Sequence, residues 1–169
     1  MLKNTQLPEV AEIQRRLGAG ECPASLCGWD DQGLNVLREI GEYFLSEARY
    51  EDAVDLFLFL TAMAPQNSAL WTRLGNAEQE CGRCDAALEA YSLAVATDPE
   101  DPLPHIFSAE CYGLVGDSKD EISSLLLAYG ICEEHNRETD LKDELLEAIQ
   151  DLVGQYPQSS TKDNSPLPG

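Results

Sequence analysis

Between residues 34 and 136, apolar and small residues recur three or four positions apart, the spacing of amphipathic helices. The pattern also repeats at long range. Pro65 and Pro99 stand 34 residues apart, and aligning the chain on them brings the surrounding residues into register. A first unit, 34–67, carries Leu37, Ile40, Gly41, Phe44, Ala53, Phe57, Leu60 and Pro65. A second, 68–101, carries Trp71, Leu74, Gly75, Ala87, Tyr91, Ala94 and Pro99. A third, 102–136, carries Ala109, Tyr112, Leu125 and Ala128.

Each unit reads as two antiparallel helices. Gly41, Gly75 and Ala109 let the paired helices approach, and Ala53 and Ala87 do so from the facing helix. A larger side chain at such a crossing overpacks it, at about 1–3 kcal/mol. Phe57 and Tyr91 fill the space between the helices. Pro65 and Pro99 end the second helices, because proline breaks the backbone ladder and restricts its predecessor. Gly82 and Gly116 fall at the hairpin turns, where a left-handed residue suits a helix end. The third unit is degenerate: Glu121 stands where the small alanine is expected, and Glu133 where the proline is expected. Its second helix is therefore expected to run on and to stop near Asn136.

Outside the units, residues 8–17 read as an amphipathic helix with Val10, Ile13 and Leu17 on one side. Gly18 and Gly20 end it, and residues 21–30 read as a connector, so residues 1–33 form an N-terminal helix and linker. Asp140 is placed to cap a helix through Val153, with Leu141, Leu145, Ile149 and Leu152 at near-helical spacing. That helix, within 137–154, would cover the last apolar face of the array. Residues 155–169 are polar and proline-containing, the composition of a disordered tail. The period and its positions resemble the tetratricopeptide repeat. The expected fold is all-α: a superhelical array of about three helical hairpins with an N-terminal helix and a C-terminal capping helix.

Composition narrows the function. Hydrophobic residues make up 43% of the chain, enough for a packed core in 169 residues. Eleven Lys and Arg against 31 Asp and Glu give a net charge of −20. That field repels phosphate backbones and anionic membrane surfaces, and it favours a basic or amphipathic polypeptide partner. No apolar run approaches the ~20 residues of a membrane span, and the N-terminus lacks the apolar stretch of a signal peptide. The expected location is the cytosol, with no insertion into membranes. Six cysteines, Cys22, Cys27, Cys81, Cys84, Cys111 and Cys132, include one C-x-x-C pair without a second ligand pair, so they read as reduced thiols with no bound metal. No phosphate loop, metal-ligand cluster or nucleophile elbow is present in the sequence, so neither a cofactor nor catalysis is expected.

Stacked hairpins present the first helix of each unit along a concave face. The residues between its packing positions then form a groove. They are Arg38, Glu42, Leu45 and Ser46 in the first unit and Thr72, Asn76, Gln79 and Glu80 in the second. Leu103, Ile106, Glu110 and Leu114 follow in the third. Three apolar residues on one face of the third unit suggest a pocket. An extended peptide could set apolar side chains there and basic ones against Glu42, Glu80 and Glu110. A clamp for a C-terminal carboxylate is disfavoured, because Glu42 occupies the place of the clamp asparagine and would repel it.

The stretch 101–117, DPLPHIFSAECYGLVGD, together with Arg49-Tyr50-Glu51-Asp52-Ala53 and with Leu74-Gly75 through Cys81-Gly82-Arg83, is similar to the class II type III secretion chaperones. The resemblance covers roughly 30–150. It implies a cytosolic protein of a Gram-negative bacterium that keeps a secreted translocator or effector polypeptide soluble by gripping an extended segment in the groove. It also implies, for many members, a homodimer through N-terminal helices. The family tends to line the first groove with aromatics, where this chain has Arg38, Glu42 and Leu45. The alternative function is a generic scaffold, or a chaperone of a needle or sorting component.

Overall fold

A computed structural model describes residues 10–135 and 139–155, and these form nine helices with no strand among them. A short α1 (Val10–Gly18) and a single turn, α2 (Pro23–Leu26), precede three hairpins. These are α3 (Asp31–Ser46) with α4 (Tyr50–Met63), α5 (Ser68–Glu80) with α6 (Cys84–Thr97), and α7 (Leu103–Val115) with α8 (Ser118–Glu134). Helix α9 (Thr139–Gln155) packs on α8. Each helix packs on the next from α3 onward, the arrangement of a repeat array.

The hairpin turn is built the same way three times. The last helical residues are closed by reverse hydrogen bonds: Arg49 N to Phe44 O at 2.8 Å, Arg83 N to Glu78 O at 2.9 Å, and Asp117 N to Tyr112 O at 2.9 Å. This pattern requires a left-handed residue one position earlier. Gly82 (φ 76°) and Gly116 (φ 80°) supply it, but the first hairpin uses Ala48 (φ 56°). Its Cβ makes that conformation unfavourable by roughly 1–2 kcal/mol.

The helices interlock through a small residue set against a large one. A Cβ added to Gly41 would come within 2.7 Å of Phe57 Cζ, and one on Gly75 within 2.3 Å of Tyr91 Cε1. Phe57 and Tyr91 are fully buried, with Ala53 and Ala87 buried beside them in sequence register. The third hairpin pairs Ala109 with the smaller Leu125, both buried in one cluster with Ala128 and Cys132. Glu121, out of pattern for the repeat, finds room because α7 offers Gly113: a Cβ there would stand 2.9 Å from Glu121 Oε1.

Four expectations shift. Ile40 is not a packing residue; it is 39% exposed, on a stripe of α3 with Val36 and Tyr43. Its helix starts three residues before position 34, because Asp30 caps it by accepting from Gly33 N at 2.8 Å. Residues 21–30 are more than a connector. The Cys22 thiol donates to Met63 O at 2.8 Å, Ala24 is buried, and Trp29 meets Phe59 edge-on at 6.0 Å between centroids, so this segment docks on α4. Asp140 lies inside the first turn of α9 and does not precede it. The helix read over 8–17 is described from Val10, and helix α8, expected to stop near Asn136, has Glu134 as its last helical residue with His135 after it. Residues 136–138 and 156–169, and with them the expected tail, lie outside the described residues. Helix α8, freed of the helix-ending proline, runs 17 residues against 14 for α4 and for α6. Leu145 and Ile149 of α9 are buried against it.

Candidate peptide-binding groove

The first helices of the hairpins, α3, α5 and α7, are tied to one another by polar contacts along one face. Arg73 Nε donates to Glu42 Oε1 at 2.7 Å, joining α5 to α3. Gln79 Nε2 donates to Glu110 Oε2 at 3.0 Å, joining α5 to α7. Both contacts are part exposed and each is worth no more than about 1 kcal/mol. Their value is positional: they hold carboxylates and amides in a row across three helices.

Within that row the residues expected in the groove take different places. Glu42 is half-buried and engaged by Arg73; Arg38, one turn earlier, is also half-buried. Leu45 packs against the core of the first two hairpins, while Ser46 is exposed and its hydroxyl donates to Tyr43 O. Thr72 is buried and its hydroxyl donates to Ser68 O at 3.2 Å, so it offers nothing to a ligand. Arg73, one residue on, carries the accessible side chain instead, because helix geometry rotates neighbours by about 100°. Glu80 is exposed. Leu103 and Leu114 are 44% and 70% exposed, whereas Ile106 is half-buried against the α8–α9 cluster. The three therefore do not share one pocket.

A buried polar network underlies the middle of the row. The Tyr91 hydroxyl lies 2.9 Å from Asn76 Oδ1 and 2.8 Å from Gln79 Oε1, its one proton serving either acceptor. The Cys111 thiol donates to Gln79 Oε1 at 3.2 Å. Burial raises the Tyr91 hydroxyl well above the ordinary phenol range. Burial, helped by the neighbouring Cys84 thiol, pushes the Cys111 thiol up to about 12. Both stay protonated donors at neutral pH and fix the amides of Asn76 and Gln79. Cys22, Cys27, Cys81, Cys84 and Cys111 are free thiols. Tyr91 and Cys111 were not foreseen as part of the site, because they sit at packing positions of the repeat and reach the groove only through their polar tips.

No protein-family model matches the sequence, and no curated protein matches it. Solved structures do. The type III secretion translocator chaperone SycD of Yersinia enterocolitica superposes with a TM-score of 0.73 at 23% identity, over 78% of this chain and 98% of that one. The fold is that of the translocator chaperones. A type III secretion complex from Aeromonas hydrophila contains a chain similar at TM-score 0.78 and 19% identity, over 85% and 96% of the two chains. PcrH, solved with the chaperone-binding region of PopD, matches at 0.72 and 20% identity, over 77% and 98%. All three share an all-α repeat architecture with this chain, as the 34-residue period implied.

Proposed function

We propose that this chain is a cytosolic type III secretion chaperone of a Gram-negative bacterium, which keeps a secreted translocator-type polypeptide soluble by holding an extended segment in the α3–α5–α7 groove. The observation that carries this reading is the coverage of nearly the whole length of translocator chaperones, one of them solved with the chaperone-binding region of a translocator. The groove chemistry supports it. An extended segment has unpaired backbone groups, and the oriented amides of Asn76 and Gln79 can meet them. Basic side chains of the segment can approach Glu42, Glu80 and Glu110. The net charge of −20 disperses a complex whose cargo is apolar. The exposed stripe of Val36, Ile40 and Tyr43 suits a second copy through the N-terminal part of the molecule. Binding, and not catalysis, is the activity.

Co-expression with a polypeptide of its own genome that carries long apolar helices tests the proposal. The expected result is a soluble complex on size exclusion and an insoluble cargo when the chain is omitted. Cargo that is soluble alone, or that never co-elutes, overturns it.

A further inference from the structure

Helix α9 does more than close the array. Between α7 and α9 lies a cavity of about 430 Å³, within the range of ~300–1,000 Å³ typical of ligand clefts. Its apolar wall is Ile106 and Ala109 on one side and Leu141, Ala148 and Leu152 on the other. Leu125 and Leu145 complete the apolar lining. Around this wall stand four carboxylates, Glu110, Glu121, Glu144 and Asp151, and among the described residues no lysine or arginine lines the cavity. The one lysine of α9, Lys142, is drawn away: it pairs with Glu133 at 3.3 Å and lies over the Tyr129 ring. Glu110 also accepts from Gln79, so the cavity is continuous with the row of groove residues on α5.

We propose that this cavity is a second recognition site, which takes an apolar side chain flanked by lysine or arginine on an extended polypeptide. It rests on the chaperone reading only for the source of that polypeptide. An apolar wall ringed by carboxylates rewards this combination, because the anchor buries hydrocarbon while the flanking cations meet the ring at solvent-exposed distances. An acidic segment would be repelled, and a plain apolar one would leave the ring unmatched. Specificity would thus come from α9, which a repeat-based reading treats as a lid.

The test uses the full chain and three short fluorescent peptides: a leucine flanked by lysines in a Gly/Ser background, the same with glutamates for lysines, and the same with alanine for leucine. Anisotropy at low salt should rank the first far above the other two. The double variant Glu144→Lys/Asp151→Lys, at two exposed positions, should weaken the lysine peptide by about tenfold or more and reverse the charge preference. Ala148→Met should weaken it comparably with helicity retained; if that variant does not fold, the charge reversal decides alone. Affinity indifferent to these changes, or no binding of the lysine peptide, overturns the proposal. It is equally overturned if Leu167→Asp in the tail is needed to open the cavity to peptide, or if the charge reversal dissociates a dimer, since the occupant is then the chain's own tail or a second copy. Failure of the co-expression test with peptide discrimination intact would sink the chaperone reading and leave the cavity assigned. The converse result would do the opposite.

Discussion

The second and third hairpins share one register but hold their helices together differently. In the second, Gly75 admits a fully buried tyrosine, and the Tyr91 hydroxyl passes through the interface to the amides of Asn76 and Gln79. In the third, Ala109 faces the aliphatic Leu125, no hydroxyl crosses, and Glu121 is accommodated by Gly113. The second hairpin packs on a neighbouring hairpin on each side, through α4 and α7. The third leaves a cavity that α9 only partly covers. A repeat register therefore specifies the size complementarity of a helix pair but not its chemistry. Variation in chemistry at fixed register is what distinguishes one part of the groove from the next.

The interlock of the second hairpin can be broken most severely with Gly75→Leu. The side chain would meet the Tyr91 ring well inside contact distance, and a loss of about 3 kcal/mol or more is expected. A thermal melt followed by circular dichroism should fall by roughly 6–12 °C, or the chain should fail to fold. An unchanged melting temperature would remove the interlock from the account.

Converting the third hairpin to the solution of the second sharpens the comparison. Leu125→Phe alone should cost about 1–3 kcal/mol by overpacking against Ala109, and adding Ala109→Gly should recover part of it. Denaturant melts of both singles and the double measure the coupling. Strict additivity would mean that the two positions do not form a size pair.

The turn arginines make a third contrast. Arg83 bridges Glu51, at 2.7 Å, and Glu78, whose side chain is only 12% exposed, whereas Arg49 at the same register pairs with the half-exposed Asp52. Arg83→Ala leaves a nearly buried carboxylate without its partner, and about 1–2 kcal/mol should be lost. Arg49→Ala should lose less than about 1 kcal/mol. Equal losses in urea melts would contradict the difference in burial. The third hairpin has Asp117 there, which instead caps α8 by accepting from Asp120 N at 3.2 Å.

The smallest effect runs the other way. Ala48→Gly relieves the left-handed strain of the first turn, offset by the greater freedom of glycine in the unfolded chain. A net gain of about 0.5–1 kcal/mol is expected. A glycine that lowers the melting temperature would show that the Ala48 side chain packs usefully.

The fold was largely legible, because its determinants are local and periodic. Gly41 and Gly75, Phe57 and Tyr91, and Pro65 and Pro99 recur at one spacing, and a helix pair needs a small residue, a large one and a stop. The groove was legible in outline only. Glu42, Asn76, Gln79 and Glu110 do make contacts along one face, but Thr72 turned inward and Leu103, Ile106 and Leu114 did not converge. A helical face spans three or four positions, and the direction of each side chain within it depends on how far neighbouring helices rotate.

By itself the sequence determined the repeat, the hairpins and the acidic character of the surface, since each follows from residue type and spacing along one chain. Only the tertiary structure decided which polar groups meet across helices and what α9 does. Tyr91 reaches Gln79 from 12 residues away and Cys111 from 32, and the cavity is lined by residues of α7 and α9, helices with α8 between them in sequence. Those encounters depend on helix crossing and rotation, which no single helix encodes.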